Sequence, residues 1–272
     1  MYYKPSFFWC GIIAYMEFFF IFVLGLILGS FLNVVIYRLH KKEALTGRSR
    51  CTVCKKQIFW YDNIPLASFL LLNGKCRFCR KKISLQYPII EFATGGIFVA
   101  LYSALTAQFD TVSTQAVLSA VRYFSFSMIL IVIFVYDLKW YLILDKVTLP
   151  AILWAFCINL LLDFSWQNMV FGGIIASGFF FMQYVLSQGR WIGGGDVRLG
   201  ALIGVMLGWQ LVLASLFFAY VLGAVVGLAL IISGRKKLSS KLPFGSFLAT
   251  STLVILVCGN SLVSWYISLI TF

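Results

Sequence analysis

Eight apolar runs, parted by short polar or basic breaks, decide what this chain can fold into. They cover residues 12–36, 88–107, 120–137, 147–163, 169–187, 196–209, 211–232 and 243–270. A helix needs about 20 mostly apolar residues to cross a bilayer. Most of these runs are long enough to span, with ends set only to within several residues. The chain is 61% hydrophobic and 11% charged over 272 residues, with a mean hydropathy of +0.95. A soluble domain would carry about 25% charge. The expected fold class is therefore an all-α polytopic membrane protein with about eight transmembrane helices. The sixth run is short and rich in glycine, which predicts a tilted or broken helix beside a cavity. No cleavable signal is expected, because the first run is too long and no small-residue cleavage site follows it.

The net charge of +13 raises nucleic acid as a partner, but its placement argues against that. Of the 22 Lys and Arg residues, 12 lie between Arg38 and Lys82. If residues 38–87 are cytoplasmic, alternation puts 138–146, 188–195 and 233–242 on the same side. All the cations except Lys4 and Arg122 then lie at or near that face. The opposite loops (108–119, 164–168 and the turn near Trp209) carry few charges. That is the pattern of inner-face loops under the positive-inside rule, and the expected partner is the lipid bilayer, with no nucleic acid.

Three stretches organise the chain: a first transmembrane helix (1–37), a small cytoplasmic domain (38–87) and a transmembrane core (88–272). The small domain holds Cys51-x-x-Cys54 and, 21 residues on, Cys76-x-x-Cys79. Each pair can turn two thiolates toward one ion, and four such sulfurs close a tetrahedral zinc shell with no open position. Arg50, Lys55, Lys56, Arg77, Arg80 and Lys81 would favour the thiolates. Disulfides are the rival reading, and a reducing cytoplasm opposes them. Zinc here is expected to be structural, a staple for a domain too small to hold a good core alone. Cys10, Cys157 and Cys258 sit in apolar runs as small core or lipid-facing residues.

Only nine acidic residues are present, and ionisable groups in membrane segments are functional candidates. Asp137 closes the apolar run Ile129–Tyr136, and Asp196 follows Gly193-Gly194-Gly195 and opens the next helix. The topology above puts both at cytoplasmic helix ends. Two carboxylates brought together at a semi-buried site can share one proton, so that one activates water while the other polarises a peptide carbonyl. Gly193 and Gly195 would let the loop approach an extended substrate. The plainer reading makes each Asp a helix cap or a partner for Lys139 or Arg198. Asp145 rivals Asp137 from the same loop, and Glu91 is a candidate to line the site or pair with a cation. Asp110 and Asp163 fall on the other face. His40 is the only histidine, which disfavours a Ser-His-Asp or Cys-His hydrolase and excludes an H-E-x-x-H site.

Together these motifs resemble the bacterial prepilin peptidases, the type IV leader peptidases of the GxGD aspartic class. The resemblance runs through Gly29-Ser30-Phe31-Leu32-Asn33-Val34-Val35-Ile36-Tyr37-Arg38-Leu39 and through Asp62-Asn63-Ile64-Pro65-Leu66-Ala67-Ser68 between the cysteine pairs. It continues through Gln86-Tyr87-Pro88-Ile89-Ile90-Glu91, Tyr136-Asp137-Leu138-Lys139, Gly193-Gly194-Gly195-Asp196-Val197-Arg198-Leu199 and Pro243-Phe244-Gly245. It implies catalytic Asp137 and Asp196. It also departs in places: Leu144 stands where the family often has proline, as do His40 and Thr52.

The resemblance implies that prepilins and pseudopilins are substrates, each with a basic leader, a glycine at the cleavage site and an apolar helix. It further implies N-methylation of the new N-terminus from S-adenosylmethionine. No Gly-x-Gly-x-x-Gly fingerprint appears, and the residues that would bind that cofactor are not assigned. Two other classes compete: a transporter built on intramembrane carboxylates, and a non-catalytic membrane scaffold for pilus assembly.

Overall fold

The computed structural model describes residues 7–109, 111–235 and 241–270, with side chains from residue 16 to residue 259 within those limits. Lys4 and Asp110 lie outside the described residues, as does the side chain of Cys10. Helix dominates, and no strand occurs among the described residues. The helices are α1 (Phe7–Lys41), a 3-10 turn at Trp60–Asn63, α2 (Ala67–Leu71), α3 (Gln86–Thr106), α4 (Thr114–Trp140), α5 (Asp145–Leu161), α6 (Trp166–Leu186), α7 (Gly194–Ile232) and α8 (Phe244–Ile270). Five of them are long and apolar enough to cross a membrane by length and composition: α1, α3, α4, α6 and α7. The chain is a multi-pass membrane protein.

Each of the eight apolar runs falls on helix. The sixth and seventh form the two arms of α7, whose 39 residues bend at Gly208 (φ 78°, ψ 173°). That backbone conformation suits glycine alone. Any Cβ there would also fall 2.7 Å from Asn168 Oδ1, the atom that accepts the Trp209 N–H at 3.0 Å. Polar groups cap the carbonyls freed before the bend. Asn159 Nδ2 donates to Val205 O at 2.8 Å, and Arg122 Nη2 donates to Met206 O at 3.2 Å. Arg122 is therefore a buried cation at a helix C-terminus, where the backbone dipole favours positive charge. Phe164 covers it, 4.5 Å from ring centroid to guanidinium.

The chain divides into two compact units, residues 1–106 and 107–272. In the first, α1 packs along α3 and the small domain lies between them in sequence. Asn33, buried in α1, donates to Tyr87 O and accepts from Gln86 Nε2 at the start of α3. Arg38 gathers the chain leaving α1: its guanidinium donates to the carbonyls of Ala44, Leu45, Thr46, Gly47 and Arg48. Glu91 Oε2 accepts the backbone N–H of Leu66 at 2.9 Å, fixing a non-glycine residue with φ 57° at the head of α2.

In the second unit the tightest seam joins α6 to the first arm of α7. A Cβ on Gly204 would fall 2.2 Å from Gly172 O, so the two backbones touch. Small residues at such a seam let membrane helices gain dispersion contacts where lipid offers no hydrophobic drive. The second arm of α7 is tied to α8 by buried hydroxyls. Ser215 Oγ lies 3.1 Å from Ser251 Oγ and 2.9 Å from Thr252 Oγ1. Cys157 and Cys258 are exposed on helix surfaces.

Candidate functional site

In the first unit, the two cysteine pairs fold as near copies of one another. An antiparallel bridge between Arg50 and Gln57 closes the first, and one between Lys75 and Lys82 closes the second. In the first, Lys55 N donates to Cys51 O and Cys51 N to Lys56 O. In the second, Arg80 N donates to Cys76 O and Cys76 N to Lys81 O. The residue after each pair, Lys55 or Arg80, takes φ near +58° (59° and 57°). The repeat is short, Cys-x-x-Cys followed by two basic residues.

All four cysteines are free thiols, and their Sγ atoms lie within 4.8 Å of one another. Cys51 and Cys79, from different pairs, stand 3.9 Å apart. Sulfurs at about 2.3 Å from a tetrahedral zinc are about 3.8 Å apart, so the cluster fits that ion with a small contraction. Burial resists ionisation of Cys51, but the backbone N–H groups of Cys54 and Val53 outweigh it and bring its thiol down to about 7. Cys54 is pushed up to about 11: a backbone contact with Lys56 favours its thiolate, but desolvation and the neighbouring thiols Cys51 and Cys79 prevail. One thiolate forms readily and opposes the next, as expected of a site that needs a cation to hold several.

The Asp62-Asn63-Ile64-Pro65 turn braces this cluster. Arg77, inside the second pair, grips Asp62 with two parallel bonds, Nε to Oδ2 at 2.8 Å and Nη2 to Oδ1 at 2.6 Å. Its guanidinium also stacks over Tyr61, 5.3 Å from the ring centroid. Glu91 forms no ion pair among the described residues. It serves the backbone of Leu66 instead.

In the second unit, Asp137 lies in the last turn of α4 and is buried. Its Oδ2 accepts from Ser246 N at 2.7 Å and from Ser246 Oγ at 3.0 Å, at the start of α8. Ser246 Oγ also lies 3.2 Å from Phe134 O, so one hydroxyl links α4, Asp137 and α8. Nothing in the sequence reading pointed to Ser246. A serine three residues after a helix-opening proline reads as a cap, and only the packing of α4 on α8 turns it toward Asp137.

Asp196 sits in the first turn of α7. Its Oδ2 accepts the N–H of Gly193 at 3.0 Å, and its own N–H bonds Gly193 O at 3.1 Å. The plainer reading of Asp196 as a helix cap thus describes its geometry correctly. Arg198 does not pair with it but bonds Asp145, both side chains being about half exposed. Asp145 is thereby committed to a surface ion pair. Asp163, on the opposite loop, is exposed.

Ile143 brings the two aspartate segments together. A Cβ on Gly195 would touch Ile143 Cβ at 3.0 Å. A Cβ on Gly245 would meet both Ile143 Cδ1 and the Asp137 carboxyl at 3.1 Å. Asp137 and Asp196 are within electrostatic reach of one another. Three segments therefore meet at one end of this unit: the last turn of α4 and the first turns of α7 and α8. Each aspartate spends one oxygen on the scaffold. Among the described residues, the other oxygen of Asp137 accepts no side-chain or backbone hydrogen bond.

Comparison with known proteins adds the following. The profile of the bacterial peptidase A24 N-terminal domain matches residues 23–105, and that of the type IV leader peptidase family matches residues 124–228. A protein of Bacillus subtilis (strain 168) described as a prepilin leader peptidase/N-methyltransferase is 31% identical over 254 residues, covering 92% of this chain and 97% of that one. One of Burkholderia pseudomallei (strain 1026b) with the same description is 34% identical over 278 residues, covering 90% and 86%. A third, of Aeromonas salmonicida, is 29% identical over 281 residues, covering 92% and 94%. No solved structure matches the chain.

Proposed function

We infer the function from one premise: this chain belongs to the bacterial prepilin peptidases, the type IV leader peptidase family. It is a prepilin leader peptidase that also N-methylates the product, the pair of activities carried by its relatives' names. Family membership removes the transporter and scaffold readings.

The catalytic pair in this reading is Asp137 and Asp196. The observation that carries it is the meeting of their two segments around Ile143, with one oxygen of each carboxyl tied down. The pair shares one proton. The ionised partner takes a proton from water, whose oxygen adds to the scissile carbonyl. The protonated partner donates to the developing oxyanion. Collapse breaks the C–N bond and passes a proton to the leaving amine, giving a leader with a new carboxylate and a mature chain with a free amine. Ser246 and the Gly193 N–H hold the two carboxyl groups in register, so little reorganisation is needed as charge develops.

The substrate's shape suits this location. The basic leader of a prepilin stays in the cytoplasm and its apolar helix lies in the inner membrane, which puts the scissile bond near the inner interface. The cations Lys139, Lys146, Arg190 and Arg198 at the aspartate end support a cytoplasmic location for it, by the positive-inside rule.

Cys51, Cys54, Cys76 and Cys79 would hold a structural zinc ion, which supplies folding energy to the small domain and takes no part in hydrolysis. S-adenosylmethionine is the methyl donor in this reading, entering from the cytoplasm, and no residue is assigned to it. The deciding experiment is cleavage of a prepilin in membranes, with mass spectrometry of the new N-terminus. Asp137→Ala and Asp196→Ala should each insert and fold yet leave the leader uncut. Processing by both variants would overturn the aspartic assignment. Methylation registers in the same spectrum as an added 14 Da, roughly one methylene.

A further inference from the structure

The scissile bond of this substrate lies where the leader joins the apolar helix, and wherever that junction is helical its carbonyl is bonded four residues along and closed to attack. Cleavage requires local unwinding, and each carbonyl released near the bilayer loses its donor. A peptidase at this depth must therefore offer N–H groups to the opened strand. Three donors beside the aspartates are already used: Ser246 N and Oγ serve Asp137, and Gly193 N serves Asp196.

A side-chain amide near them also has a donor to offer. Gln183, on α6, accepts the Tyr220 hydroxyl proton on Oε1 at 2.9 Å. Its Nε2 has no partner among the described residues. The bend at Gly208 explains how Tyr220 comes to be there. Positions 196 and 220 each lie twelve residues from residue 208, so folding α7 back sets them at one depth.

Contacts on both sides locate the pair. Phe180, one turn before Gln183, lies 2.6 Å from where a Cβ of Gly200 would be, one turn beyond Asp196. The Tyr220 ring is 4.8 Å from that of Phe244, which adjoins the Gly245 packed on Asp137. Tyr220 is also within electrostatic reach of Asp196. Phe179 and Phe244 give this wall an apolar surface over the buried Phe180, with the amide as its polar point.

We propose that Gln183 is a substrate-binding residue whose Nε2 donates to a backbone carbonyl of the unwound peptide, and that Tyr220 is the positioning residue that turns the amide to do so. The proposal rests on the assignment of Asp137 and Asp196 as the catalytic pair. It gives the enzyme a contact that reads backbone, not side chain.

The test uses the full-length enzyme and a prepilin at varied concentration. Gln183→Leu removes the donor, and kcat/KM should fall about tenfold at every pH, the worth of one buried hydrogen bond. Tyr220→Phe loosens the amide and should cost about threefold, with no further loss when added to Gln183→Leu. Gln183→Glu keeps the oxygen that Tyr220 bonds. It should be as slow as Gln183→Leu at alkaline pH and recover as acid restores an O–H donor, a profile that a packing role would not produce. Wild-type rates in Gln183→Leu, additive losses in the double variant, or a pH-independent deficit in Gln183→Glu would each overturn the proposal. Asp137→Ala and Asp196→Ala, run alongside, separate the premise from the inference. If they still cleave, the catalytic assignment fails. If they are inert while the Gln183 series is normal, only this inference fails.

Discussion

The four thiols and the two aspartates both bring together residues distant in sequence, 25 positions from Cys51 to Cys76 and 59 from Asp137 to Asp196. They do so by opposite means. The cysteine lobe has little core of its own. Trp60 is 80% exposed, Leu71 is 83% exposed, and no residue of its 3-10 turn or of α2 is buried. Local turns aim its sulfurs, and a metal would join the halves. The aspartate end has no such staple. Its two aspartate segments are brought to one end because α4, α7 and α8 pack through glycines and a few hydroxyls, so its geometry is inherited from the whole bundle. A metal site of this kind can be removed with its ion, whereas the aspartate site should yield only to changes in packing or in the acids themselves.

Five substitutions sharpen that contrast. The largest effect is expected from Asp137→Ala or Asp196→Ala, with a loss of at least about 1,000-fold in prepilin cleavage and an unchanged unfolding temperature. Gly204→Leu comes next. Its side chain would start 2.2 Å from Gly172 O, so α6 and α7 must part, costing about 3 kcal/mol or more of stability. Thermal unfolding in detergent measures this, and cleavage should fall with it although residue 204 is remote from both acids. Cys51→Ser should abolish zinc binding, read as metal per chain by mass spectrometry. Proteolysis should then open residues 42–85 while the α4–α8 bundle keeps its protection. A bundle that unfolds with the lobe would dissolve the distinction drawn above. Ser246→Ala is the mildest: about tenfold in kcat from the loss of one bond to Asp137, with KM unchanged.

The sequence made the metal lobe plainer than the acid site for the same reason. A Cys-x-x-Cys turn is local, so its spacing already contains its geometry. The apolar runs were legible as helices because lipid imposes one period and one length on them. The sixth run read as tilted or broken, and its short length and glycine content do mark the arm that ends at the Gly208 bend. What the residues did not disclose is the partner set. Ser246, Ile143 and Gln183 are ordinary residues until α4, α6, α7 and α8 are placed side by side. Arg198, three residues from Gly195, looked able to serve Asp196 and instead serves Asp145. Neighbours on a helix end can point to different elements, and spacing alone does not choose between them.

Arg38 carries one further consequence. By gathering the five carbonyls of residues 44–48 it cinches the strand where the chain leaves the first helix, while Glu91 pins Leu66 from the third. The cysteine lobe is thus moored at two points rather than hung on a slack tether. A lysine at position 38, with a single ammonium in place of a planar fork, would let out that rope without altering any charge.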